Sequence, residues 1–194
     1  MSTRLTKLVP DRLNEEQRRL YERIAGGPRR KMALPLADQE GGLIGPFNAY
    51  LHTPELGSRL EVAGVGLREV TALAPRLREI AILVSARHYR AQFEWFAHAQ
   101  IARREGVESE LIEAIHRGEE PAFPDPTDAC VYRFCVELLE NHRVREESYA
   151  AVSARLSERE RVELVFILGY YALVSLTLNA FEVELPPGEP LPFD

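Results

Sequence analysis

The sequence predicts an all-α fold, and three observations carry that prediction. Apolar residues recur at three- and four-residue steps through successive segments. Those segments are bracketed by helix-capping residues, prolines and glycines. Strand-like alternation is confined to Phe181-Glu182-Val183-Glu184-Leu185, too short to build a sheet.

Each element follows from local signals. An amphipathic helix is predicted over residues 10–27, with Asn14 as its cap, Leu20 and Ile24 as its apolar stripe and Gly26-Gly27 as its stop. Residues 26–46 are rich in Gly and Pro without a period and read as an ordered arm. A short helix at 47–51 is ended by Thr53-Pro54, and Pro54 suits the first turn of a helix reaching about residue 70. Pro75 opens the next helix. There Leu77, Ile80, Ala81 and Val84 point inward, which places Arg78 and Glu79 at the edge of a buried stripe.

The chain breaks near His88-Tyr89, and a helix over 91–105 ends at Gly106. A helix over 109–116 is closed by Gly118, and a Pro-rich loop covers 119–126. Thr127 or Asp128 caps a helix to 140, with Val131, Phe134, Cys135 and Leu138 inward, and a shorter helix covers 147–155. Ser157-Glu158-Arg159-Glu160 is a capping box for a last helix to about 181. That helix is apolar around most of its circumference, which makes it central or a subunit contact. The tail from Pro186 reads as extended. A faint echo sets Glu79 on Glu160, Tyr89 on Tyr170, Ala91 on Ala172 and His98 on Asn179, as if one helical unit were used twice.

Composition narrows the function classes. The 194 residues are 45% hydrophobic and 28% charged, ordinary for a globular protein, and the net charge of -6 argues against a nucleic-acid surface. The most apolar run, 164–178, is interrupted by Gly169, Ser175 and Thr177 and reads as too short to span a bilayer. No apolar segment follows the initial Met-Ser-Thr-Arg-Leu-Thr-Lys, so no secretory signal is expected. The two cysteines, Cys130 and Cys135, have neither CxxC nor zinc spacing and suit a reducing cytoplasm. No membrane and no nucleic-acid partner is expected.

The chemistry concentrates at Phe93-Glu94-Trp95-Phe96-Ala97-His98. Glu94 and His98, four residues apart, share a helix face, and a carboxylate beside an imidazole forms a proton-handling pair. The aromatic neighbours mean that these polar groups pair with each other or reach a cavity. The plain alternatives are that His98 is a core histidine satisfied by Glu94, and that Glu79 is an ion-pair partner of Arg76 or Arg78. Glu79, Glu94, His98 and another histidine are also a candidate divalent-metal set. His116 and His142 read as surface residues near helix ends.

Leu77-Arg78-Glu79-Ile80-Ala81-Ile82-Leu83, then Phe93-Glu94-Trp95-Phe96-Ala97-His98, then Ala102 and Gly106, resembles the carboxymuconolactone decarboxylase family, whose fold is that of the alkyl hydroperoxidase D proteins. The resemblance is strongest over residues 47–118, flanked by a helix and arm at 1–46, further helices at 119–185 and a tail at 186–194, all read as one domain. The peroxidase branch carries Cys-x-x-Cys at positions that align with Ala91 and Glu94 here, so dithiol chemistry lacks its thiols.

The resemblance implies a lyase that removes carbon dioxide from a small carboxylated lactone or related aromatic-catabolism compound, with no metal and no cofactor. His98 would carry the proton, and Glu94 and Glu79 would orient it or act as base. Substrate contacts would come from Trp95, Phe47, His52, Tyr89 and Arg87. It also implies a homo-oligomer, a trimer or a hexamer of dimers, which the apolar last helix and the arm suit. Alternatives from other classes are a non-catalytic small-molecule binder and a peroxidase-like antioxidant without the dithiol.

Overall fold

The computed structural model describes residues 4–27 and 35–194. A single 3-10 turn, Pro10–Arg12, precedes α1 (Glu15–Gly26), α2 (Phe47–His52), α3 (Pro54–Glu69), α4 (Pro75–His88), α5 (Gln92–Arg104), α6 (Ser109–Arg117), α7 (Pro126–Asn141), α8 (Glu146–Ser153) and α9 (Glu158–Ala180). Among the described residues there is no strand, and Ala37 and Leu43 make one isolated antiparallel bridge. The fold is all-α, as the periodicity predicts. The arm at 26–46 lies partly outside the described residues. Its later part runs through that bridge and a left-handed Gly45.

Local chemistry sets most boundaries. Asn14 and Ser157 each close a capping box, with Gln17 and Glu160, which satisfies the first orphan N–H groups of α1 and α9. Gly106 and Gly118 take the left-handed conformation after α5 and α6 that a side chain would strain. The cap of α7 differs from expectation. Asp125 accepts from the Thr127 N–H at 2.7 Å, while Asp128 points inward to the Arg76 guanidinium, also at 2.7 Å. A buried carboxylate needs that partner, so ion pairing takes Asp128 away from the cap.

The core is built around α4. Ten consecutive residues, Leu77 to Ala86, are buried, including Arg78 and Glu79, because α5, α6, α7 and α9 all pack on this helix. A helix covered on every side is the centre of a bundle. The expectation that Arg78 and Glu79 sit at a stripe edge therefore gives way to full burial. Ile80, Ile82 and Leu83 contribute about 2 kcal/mol each by leaving water. A second cluster joins Leu20 and Ile24 of α1 to Phe47, Tyr50 and Leu51 of α2. A third, smaller one joins Phe93 and Ala97 of α5 to Val174 and Leu178 of α9.

Two expectations about α9 are corrected. The helix runs unbroken from Glu158 to Ala180, so it is long and apolar enough to cross a membrane by length and composition, although one face packs on α4 and α5. The echo also fails as a repeated unit. The α4–α5 break, with Arg90 at φ 51°, has no counterpart where α9 passes through Tyr170 and Ala172. The tail closes over the fold instead of simply extending away. Phe193 is buried, stacks on His116 at 5.0 Å and meets Trp95 at 5.5 Å, while its backbone exchanges two hydrogen bonds with the Gln92 side chain.

Candidate active site

Three helices converge on one buried group of charges. Glu79 hangs from α4, Glu94 and His98 from α5, and Tyr170 and Tyr171 from α9. Glu94, Ala97 and His98 share a face because successive helical side chains turn by about 100°. Trp95, about 100° further round than Glu94, faces away from the cleft toward His116 and Phe193.

Glu79 has no solvent exposure (0%) and its Oε2 lies 2.7 Å from His98 Nδ1. Its Oε1 meets Arg78 Nε at 3.4 Å and an Arg68 guanidinium nitrogen at 3.5 Å. Burial works against the Glu79 charge, but His98, Arg68 and Arg78 outweigh it and hold the carboxyl below its ordinary range. An ionised carboxylate only accepts hydrogen bonds, so His98 Nδ1 carries a hydrogen and donates it. The opposite ring nitrogen, Nε2, lies 3.2 Å from Glu94 Oε1. Tyr171 sets its ring edge-on to the imidazole at 5.0 Å. Burial pushes the Tyr171 phenol well above its usual range, so it stays protonated.

His98 and Glu94 also form part of the wall of a cleft. Its empty volume is about 570 Å³, counting the open solvent at its mouth. The rest of the lining is mainly apolar: Pro35, Leu36, Ile44, Pro46, Phe47, Phe93, Ala97 and Val174, with Tyr170 and Tyr171. Glu79 stands behind His98 and does not line the cleft.

The structure therefore brings together Glu79, Glu94, His98 and Phe47 and sets the other sequence-predicted residues elsewhere. Trp95 packs against His116 and Phe193. Arg87 donates to the His116 carbonyl at 2.7 Å and stacks over Phe193. The Tyr89 carbonyl accepts from Asn179, and its ring packs on His88. His52 is exposed and bonds the Thr6 carbonyl through Nε2 at 2.9 Å. None of these four lines the cleft. His116 is no isolated surface residue; it is part of the Phe193 cluster. Sequence reasoning missed Arg68, Tyr170 and Tyr171. Only the echo singled out Tyr170, and nothing local marks Arg68, since the α3–α4 turn brings it to Glu79.

Among the described residues no three His, Cys, Asp or Glu side chains converge on a point that would hold a metal ion. Cys130 and Cys135 lie on α7, outside the cleft lining, and burial pushes both thiols up, away from thiolate chemistry.

This helical arrangement recurs in solved structures. An uncharacterized peroxidase-related protein from Ralstonia eutropha JMP134 with an alkylhydroperoxidase AhpD core superposes with a TM-score of 0.75 at 13% identity, over 95% of this chain and 93% of that one. The chain has the alkyl hydroperoxidase D-like fold. A variant of the debrominase Bmp8 in complex with 2,3,4-tribromopyrrole matches the same fold with a TM-score of 0.74 at 13% identity, over 96% and 95% of the two chains. A peroxidase-related protein from Silicibacter sp. TM1040 matches at 0.73 and 14% identity, over 95% and 92%. No protein-family model matches the sequence. No curated protein matches it either. Ala91 is the N-cap of α5, and Glu94 lies in its first turn.

Proposed function

We propose that this protein is a small-molecule enzyme that moves a proton to or from carbon, in the manner of carboxymuconolactone decarboxylases. The observation that carries this reading is the clamping of His98 between two carboxylates at the wall of an apolar cleft. Glu79 fixes the ring and its Nδ1–H; Nε2 and Glu94 hold the mobile proton on the cleft side. A general acid and base in one contact suits protonation of a carbanion-like centre and accounts for about 10²–10⁴ in rate. In a decarboxylation the carbon–carbon bond to the carboxylate breaks and its electron pair passes into the unsaturated ring. The Nε2–Glu94 proton then forms the new C–H bond and is replaced from water. Phe47, Phe93 and Tyr170 supply flat apolar surface for a ring compound and exclude water.

The same lining suits binding of a small ring without chemistry, and the tribromopyrrole complex of Bmp8 is an instance of such a ligand on this fold. The two readings separate in one experiment. The chain is incubated in D₂O with a panel of unsaturated lactone acids and ring compounds, and carbon-bound deuterium and released carbon dioxide are followed by NMR and mass spectrometry. Turnover by the wild type, reduced at least 100-fold in both His98→Gln and Glu94→Gln, is the expected result. Ligands that bind without any deuterium uptake would leave a binding protein.

A further inference from the structure

The first turn of α5 carries Glu94, yet no side chain caps it. Ala91 stands at the N-cap with only a methyl group, and Arg90 before it sits at φ 51°, a backbone region that residues with a side chain seldom adopt. The tail closes on this turn from the far end of the chain. The Gln92 side chain donates to the Phe193 carbonyl at 2.6 Å and accepts from the Phe193 N–H at 2.9 Å. The Arg90 guanidinium donates to the Asp194 carbonyl. His116 Nε2 donates to the Pro192 carbonyl at 2.7 Å and so ties the same segment to α6.

Phe193 fills a slot of aromatic and cationic groups. Its ring stacks on His116 and meets Trp95, with the Arg87 and Arg90 guanidinium carbons 6.0 and 5.7 Å from its centre. Gln92 and Trp95, three residues apart, share the face of α5 turned from the cleft, and Glu94 and Ala97 share the face turned to it. Earlier in the tail, Val183 and Leu185 pack on the cluster of Phe93 and Ala97. The tail therefore bears on both sides of the turn that holds Glu94. Pro186, Pro187, Pro190 and Pro192 restrict the free segment and lower the entropy lost when it docks.

We propose that this tail is a strap that sets the reach of Glu94 to His98, with Phe193 as its positioning residue. The inference rests on the reading of Glu94 and His98 as the proton-handling pair. His98 lies one turn further along α5 and is held to α4 by Glu79, whereas Glu94 sits in the uncapped turn that the strap grips. Docking of Phe193 therefore governs the 3.2 Å contact at Nε2 and leaves the 2.7 Å contact at Nδ1 to Glu79. The effect on rate is large because a misplacement of about 1 Å costs on the order of 10²-fold.

Two variants of the full chain release the strap in different ways. Phe193→Ala empties the slot, and Gln92→Ala removes the two backbone bonds while favouring the helix. Trp95, the single tryptophan, reads docking directly, and its emission should move to the red in Phe193→Ala. Long-range ¹H–¹⁵N spectra should show His98 Nε2 shifted in both variants with Nδ1 unchanged. On a turned-over substrate kcat should fall about tenfold or more, with KM changed less than about twofold. Val152→Ala, a loss of buried volume on α8, controls for general loosening and should leave Nε2 where it is. An Nε2 signal unmoved in both strap variants, or moved equally by Val152→Ala, would overturn the proposal. The spectra need no substrate, so the two readings fail separately. A shifted Nε2 in a chain that turns nothing over would remove the reaction and keep the strap, and an unmoved Nε2 with turnover intact would remove the strap alone.

Discussion

Nδ1 of His98 lies 2.7 Å from Oε2 of Glu79, and this one contact ties α5 to the central helix α4. Glu79 has no exposure to water and shares its other oxygen with Arg68 and Arg78. The group is an island of charge within the core, one carboxylate facing two guanidinium groups and an imidazole. Its remaining valence, at His98 Nε2, is turned toward Glu94 and the cleft.

Removing Glu79 should therefore cost more than catalysis. Glu79→Ala leaves two guanidinium groups and the His98 Nδ1–H without their acceptor, and about 3–5 kcal/mol of stability should be lost in a denaturant titration. Glu79→Gln keeps the volume and one acceptor oxygen but frees the imidazole to reverse its tautomer. It should fold and lose at least tenfold in kcat with little change in KM.

A pH effect resides far from the site. Glu137 of α7 accepts from the Arg145 backbone N–H at 3.1 Å, the Arg145 guanidinium at 2.8 Å and the Ser148 hydroxyl at 2.8 Å, clasping α8. The hydrogen bonds from Arg145, opposed by some desolvation and joined by Ser148, hold its carboxyl down to about 2, against 4.5 ordinarily. Because the folded value is the lower one, the clasp contributes fully above the unfolded value. Its contribution fades as pH falls from about 4.5 toward 2. Thermal melts of wild type and Glu137→Gln should differ most near neutral pH, draw together below about pH 4.5 and converge only as the pH approaches 2. A gap that widens on acidification would show the sign to be wrong.

Gly57 shows what packing demands where α3 crosses α2. A Cβ there would stand 2.4 Å from the Tyr50 carbonyl oxygen, a backbone atom that cannot step aside. Alanine favours a helix by about 1 kcal/mol over glycine, but overpacking costs about 1–3 kcal/mol, so the clash wins. Gly57→Ala should lower the melting temperature. Gly66→Ala on the same helix, where the nearest atom is a Val70 methyl at 3.9 Å, should raise it.

What the sequence made legible was local. Capping boxes at Asn14 and Ser157, and glycines 106 and 118, place helix ends to within a residue or two because their hydrogen bonds close within four residues. Glu94 and His98 share a face because four residues make about one turn. Burial of Arg78 and Glu79 was not legible. It depends on how many helices surround α4, which a single helix's periodicity does not encode. Trp95 looked like part of the pocket because it is adjacent in sequence, yet a 100° turn sends it to Phe193, whose own docking depends on a tail returning about 100 residues later. Arg68 became part of the site only through the turn between α3 and α4.

The proton arrangement around His98 is central to the proposed chemistry, and ¹⁵N NMR of the imidazole reads it directly. Long-range ¹H–¹⁵N spectra of the wild type at neutral pH should show Nδ1 protonated, with that signal lost or redistributed in Glu79→Gln, while Glu94→Gln perturbs chiefly Nε2. A bare Nδ1 in the wild type, with the hydrogen on Glu79 instead, would contradict the assignment of Glu79 as the fixed anion and of the Nε2–Glu94 contact as the proton store.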